Sequence, residues 1–161
     1  MYGTALEGLL EVAPVPVLGF MGFGFLMFAL GMSSPGEEEE PKSRTVVLVD
    51  DDADILRGLR TLIESRTPFR VVGVAYSGLE GLRVVDTVEP DLVVVDVKLP
   101  ELDGIETTRR LKELSPTRPV IAYSSPEDDA TGTIMRRAGA SAHLVKGDDP
   151  DTIIRTITDF A

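Results

Sequence analysis

Apolar and polar positions follow two rhythms along this chain. From Thr45 onward, short runs rich in Val, Ile and Leu alternate with stretches whose apolar residues recur at helical spacing. The runs predict strands at 45–50, 69–75, 92–96, 120–124 and 142–145. VVLV, LVVVD and VIAY are apolar at nearly every position, the mark of strands covered on both faces. Between them, Ile55, Leu56, Leu59, Leu62 and Ile63 predict a helix over 54–65. A second helix is expected over 104–114, with Ile105 and Leu111 inward and Arg109, Arg110 and Lys112 outward. A third, over 150–159, carries the stripe Ile153, Ile154 and Ile157, with Phe160 one turn on. Gly78, Gly81, Gly104 and Gly139 fall at element ends or in a weak helix. Strands alternating with helices predict an α/β fold, a doubly wound parallel sheet with right-handed crossovers.

Four of the apolar runs end on a residue that phosphoryl chemistry requires: Asp50 and Asp51, then Asp96, then Ser124, then Lys146. In a parallel sheet these ends share the edge where open α/β sheets bind ligands. The loop DDDAD after the first run holds four carboxylates, and helix capping, open to Asp52 or Asp54, needs only one. Clustered carboxylates repel, and a divalent cation relieves that cost. An EF-hand is excluded, because the sixth loop position is Ile55 and the twelfth is Thr61. Mg²⁺, which keeps its waters and uses few carboxylates, fits better. Asp96 closes a fully apolar strand, where a charge is costly without a partner. A structural pairing with Lys146 would meet that cost but would leave Asp50 and Asp51 unexplained. A carboxylate there can instead attack phosphorus and form an acyl phosphate, with Mg²⁺ and Lys146 supplying positive charge and Ser124 a hydroxyl.

Composition narrows the classes. The 161 residues suffice for one domain and an extension, and 43% hydrophobic residues argue for a globular chain. A net charge of -11 disfavours direct binding to nucleic acid. Without cysteine, disulfides and thiolate sites are excluded, and the single histidine, His143, excludes any site that needs two.

The first 44 residues differ from the rest. Residues 12–36 carry no charge and hold four of the six Phe. Pro14 and Pro16 interrupt this stretch, and Val17–Met32 would make roughly 24 Å of helix against a hydrocarbon core of about 30 Å. Three readings stand: translation that begins at Met32, a membrane anchor within 12–32, and a secretory signal. The last fits worst, because Glu7 and Glu11 stand where basic residues belong. With an anchor, Lys42 and Arg44 would place the following domain in the cytoplasm. Ser33–Ser43 is an acidic, Pro- and Gly-containing linker. The expected division is therefore 1–44, extension and linker, and 45–161, the folded domain.

The pieces VVLVDDDADILRGLR, PDLVVVDVKLPELDGIE, PVIAYSS and GASAHLVKGDDP closely resemble the receiver domain of two-component response regulators, over about residues 45–159. The resemblance implies a (βα)5 flavodoxin-like sheet of order 2-1-3-4-5. It implies Asp96 as phosphoacceptor, Asp50, Asp51, Asp96 and the Lys98 backbone carbonyl as Mg²⁺ ligands, and Ser124 and Lys146 as partners of the phosphoryl group. Pro100 and Gly104 match the family's turn after the acceptor. Ser124 and His143 would form the switch, with His143 standing where the family usually has Tyr or Phe; the histidine adds a pH dependence or is a half-buried edge residue with no signalling role. Implied partners are a sensor histidine kinase or phosphotransfer protein and a downstream protein, in the cytoplasm. The expected function is a phosphorylated switch and not a turnover enzyme. Alternatives are the receiver part of a DNA-binding regulator, suggested by the LuxR-like ending GDDPDTIIRTI, and a phosphorylation-independent pseudo-receiver. A flavodoxin-like FMN carrier is disfavoured because DDDAD would repel the phosphate. An aspartate-nucleophile phosphatase is disfavoured because Lys98 stands where a second Asp is wanted.

Overall fold

The computed structural model describes residues 43–126 and 131–160. The expectations for the extension, the Met32 start and the anchor lie outside the described residues. Ten elements alternate: β1 (Arg44–Val49), α1 (Ala53–Arg66), β2 (Phe69–Ala75), α2 (Gly78–Val88), β3 (Leu92–Asp96), α3 (Gly104–Leu114), β4 (Val120–Ser124), α4 (Thr131–Ala138), β5 (Ala142–Val145) and α5 (Pro150–Thr158). The strands pair in parallel in the order β2-β1-β3-β4-β5, as expected. β1 runs one residue earlier than its apolar run suggests, so Asp50 lies just beyond the strand.

Side chains alternate faces along a strand, and here both faces are covered. On one face Val46, Leu48, Val94, Ile121 and Leu144 pack under α1 and α5, which contribute Leu56, Leu59, Ile63, Ile153 and Ile157. On the other, Val47, Val49, Val93 and Val95 meet Val85 of α2 and Leu111 of α3, while Ala122 meets Met135 of α4. That is why β3 and β4 are buried throughout. Side-chain oxygens of Asp52, Ser77, Asp103 and Asp149 cap α1, α2, α3 and α5. Asp52 accepts from the amides of Asp54 and Ile55, which accounts for one of the four acids in DDDAD. Lys112, expected to face outward, is half-buried and donates from Nζ to the Arg118 carbonyl at 2.8 Å.

The turn after β3 depends on close backbone approach. A Cβ on Gly104 would fall 2.0 Å from the Asp96 carbonyl oxygen and 2.7 Å from the Val97 Cα, both rigid backbone atoms. Gly58, exposed in the middle of α1, has nothing within 4 Å of such a Cβ. Urea unfolding should therefore separate the two. Gly104→Ala is expected to destabilise by about 2 kcal/mol or more, and Gly58→Ala to stabilise by roughly 0.5–1 kcal/mol.

Candidate functional site

β1 and β3 are neighbours, so the residues that follow and end them lie side by side at the carboxyl edge. The chain leaves β1 through a hydrogen bond from the Asp50 amide to the Ala75 carbonyl, 3.1 Å. Asp50 Oδ1 then accepts from the Asp52 amide at 2.9 Å, a local turn that fixes the carboxylate. Asp50 and Asp96 are buried, at 2% and 3% exposure, and Asp51 is exposed. One carboxylate oxygen from each of Asp50, Asp51 and Asp96 lies within 4.8 Å of the others. That spacing suits a shared cation.

Lys146 reaches this cluster from the far side. Its Nζ stands 2.8 Å from Asp50 Oδ2 and 3.1 Å from Asp96 Oδ2. Asp50 Oδ2 has no aligned hydrogen-bond donor, so that approach is a charge contact. The lysine follows β5 in a tight turn: Gly147 has φ +99°, and the Asp148 carboxylate accepts from the Val145 amide at 2.8 Å. Sequence reasoning missed Asp148 as the residue that shapes this turn. The signal was present in Gly147-Asp148, a common turn pair.

Burial, and then the Asp50 carboxylate, push the Asp96 carboxyl above the ordinary carboxylate range. Lys146 and the Lys98 backbone amide oppose the shift without cancelling it. Burial works against the charge on Lys146, but its contacts with Asp50 and Asp96 outweigh that and hold the ammonium above its usual value. The Lys146 Nζ also lies 5.7 Å from the centre of the Tyr123 ring.

Ser124 ends β4, the strand next to β3, with its side chain buried. The Lys146 amide donates to the Ser124 carbonyl at 2.7 Å, so serine and lysine are held at one level of the edge. Ser124 Oγ lies 2.7 Å from His143 Nε2. This contact could not be read from the sequence. The Lys98 backbone amide binds the Asp96 carboxylate, whereas the expectation for Lys98 concerned its carbonyl.

A buried carboxylate, two further acids, an ammonium and a hydroxyl thus meet at one strand edge. The response regulator receiver domain model matches residues 46–158. The chain belongs to this family. Receiver domains of two-component systems are also its relatives. It is 33% identical over 111 residues to the transcriptional regulatory protein YhcZ of Bacillus subtilis, covering 69% of this chain and 52% of that protein. It is 38% identical over 102 residues to the response regulator GacA of Pseudomonas viridiflava, covering 63% and 48%. A solved LuxR-family response regulator from Aurantimonas sp. SI85-9A1 superposes with a TM-score of 0.69 at 31% identity, covering 73% and 84%. The chain spans about half the length of the curated relatives it matches.

The raised position of Asp96 has a consequence for stability. A carboxyl that binds its proton more tightly when folded stabilises the receiver domain below the ordinary carboxyl value of 3.8 and loses that contribution as pH rises through the folded value. Asp96→Asn mimics the neutral form. Denaturant unfolding should show it more stable than the wild type at pH 7. The difference should shrink to nothing below the ordinary carboxyl value.

Proposed function

We propose that this receiver domain is a phosphoryl-accepting switch of a two-component relay, with Asp96 as acceptor. The observation that carries this reading is the Asp96 carboxylate itself. It is buried at a strand end, costly to ionise, and set between two acids and an ammonium 3.1 Å away. Such a group gains from chemistry that adds cations on one side and a shared oxyanion on the other.

In the proposed transfer, one Asp96 oxygen bonds to phosphorus as the P–N bond to a donor imidazole breaks, and that electron pair returns to the imidazole nitrogen. The donor is a histidine kinase or a phosphotransfer protein. Lys146 neutralises charge on the phosphoryl oxygens, and the Ser124 hydroxyl donates to one of them. Asp50, Asp51 and Asp96, with the Lys98 carbonyl, would hold Mg²⁺, which offsets the negative charge of acids and phosphoryl group alike. The fit rests on the 4.8 Å grouping and on the buried Asp50 oxygen that lacks an aligned donor. Three carboxylates so close want a cation.

The acyl phosphate is then slowly hydrolysed, so the protein acts as a switch and not as a turnover enzyme. Its output is a changed surface on α4, β5 and α5, read by a downstream protein. A second reading is supported by coverage. YhcZ, a transcriptional regulatory protein, is about twice as long as the matched region, and on this reading the same switch is the receiver part of a DNA-binding regulator.

Acetyl phosphate with Mg²⁺ should place one acid-labile phosphoryl group on the chain, read by intact mass. Asp96→Ala should take none. Labelling of that variant at the wild-type level would overturn the assignment of Asp96, and no labelling of the wild type would favour a phosphorylation-independent pseudo-receiver. Asp51→Ala should weaken Mg²⁺ binding, followed by amide shifts, by more than the roughly tenfold expected from losing an outer-sphere partner.

We further infer that residues 45–161 carry this chemistry and that residues 1–44 do not take part. A chain started at Met32 should fold and label at the full-length rate. Loss of folding would move the boundary upstream.

A further inference from the structure

We propose that His143 is a positioning residue for the Ser124 hydroxyl, and that negative charge added at Asp96 is coupled through Ser124 to proton uptake by the His143 ring. The inference rests on Asp96 as acceptor.

The argument starts from register. His143 of β5 pairs with Ala122 of β4, and Ser124 lies two residues on, so the two side chains share one sheet face on a cross-strand diagonal. Ser124 is buried at 1% exposure, and its Oγ lies 2.7 Å from His143 Nε2. A hydroxyl has one hydrogen. While the imidazole accepts at Nε2, that hydrogen points to His143 and none is left for an oxyanion at Asp96. An anion that takes the hydroxyl hydrogen leaves oxygen and nitrogen lone pairs facing each other at 2.7 Å. Protonation of a ring that accepts at Nε2 removes that conflict, because the imidazolium donates to Oγ and the serine hydrogen is free to point the other way; a neutral ring whose one hydrogen moves to Nε2 does the same without proton uptake and leaves the titration midpoint unmoved.

The surroundings set the resting state. On the α4 side the ring packs on Gly132, where a Cβ would fall 2.9 Å from Nδ1. Among the described residues, α4 presents Arg136 to the ring, the turn after β5 presents Asp148, and β4 presents the uncharged Ser124 hydroxyl. Burial first, and Arg136 second, hold His143 below the ordinary imidazole value, with Asp148 pulling back. The resting ring is therefore neutral at pH 7. Phosphoryl engagement and proton binding then favour each other by the same factor, as linkage requires.

His143 is the only histidine, so in the untagged full chain every imidazole C–H signal belongs to it. Its pH titration should be followed by NMR without and with Mg²⁺ and beryllofluoride, a tetrahedral stand-in for a phosphoryl group on a carboxylate. The titration midpoint is expected to rise when beryllofluoride binds. Binding should tighten on acidification by the matching factor, and His143→Phe should lose that part of the pH profile. In Ser124→Ala the rise should be much smaller. An unmoved midpoint, with amides at Asp96 and Ser124 responding, overturns the coupling and leaves the acceptor reading intact. An equal rise in Ser124→Ala also overturns it, since the effect would then be through-space. No amide response at Asp96 in the wild type overturns both readings.

Discussion

The structure turns on the cost of an ionised carboxylate at the end of a fully buried strand. β3 has apolar neighbours on both faces, and its last residue is Asp96. Desolvation alone would drive that residue toward its neutral form, and Asp50 drives it further. Lys146 answers both acids from one position. One ammonium cannot balance Asp50, Asp51 and Asp96 together, so the edge keeps an excess of negative charge. That excess is structurally useless. It becomes sensible when a cation joins the acids and a phosphoryl group joins the lysine.

The fold supplies this geometry through connectivity more than through local detail. Parallel strands with crossovers on both faces bring residues far apart in sequence to one level of the sheet. Asp50, Asp96 and Lys146 need only sit at or just beyond the ends of adjacent or near-adjacent strands. The backbone then sharpens the arrangement: Asp50 by its turn to Asp52, Lys146 by Gly147 and Asp148, and the start of α3 by the close passage of Gly104 over Asp96.

The same logic explains what was legible beforehand. Strands such as VVLV and LVVVD, and helices such as 54–65, carry their own periodicity, so they and the strand-end residues could be read directly. The start of β1 at Arg44 could not, because a polar residue at an edge of the ladder has no apolar signature. α4 was hidden as well; Thr131–Ala138 is short and offers few large apolar residues. The bond between Ser124 and His143 depends on a two-residue diagonal between β4 and β5, and register is invisible in a linear pattern. Half-buried Lys112 reads as surface in sequence, yet its ammonium satisfies the Arg118 carbonyl.

Placed side by side, the two flanks of Asp96 differ in kind. The β1 flank is acidic, with Asp50 buried and held by the Asp52 amide and Asp51 open to solvent. The β4–β5 flank is nearly uncharged at its serine and histidine, and the direction of their one contact follows the imidazole tautomer. Under the proposed function, charge added at Asp96 would be met on the first flank by electrostatics and on the second by reorientation. Reorientation is the step that can have two discrete outcomes, because a hydroxyl hydrogen points to one acceptor or to the other. A signal needs such a bistable element to turn a local charge into a change of surface. β5 carries the histidine that shares a contact with the serine, and α4 packs on its ring at Gly132, so the proposed coupling has a physical path from Ser124 to that surface.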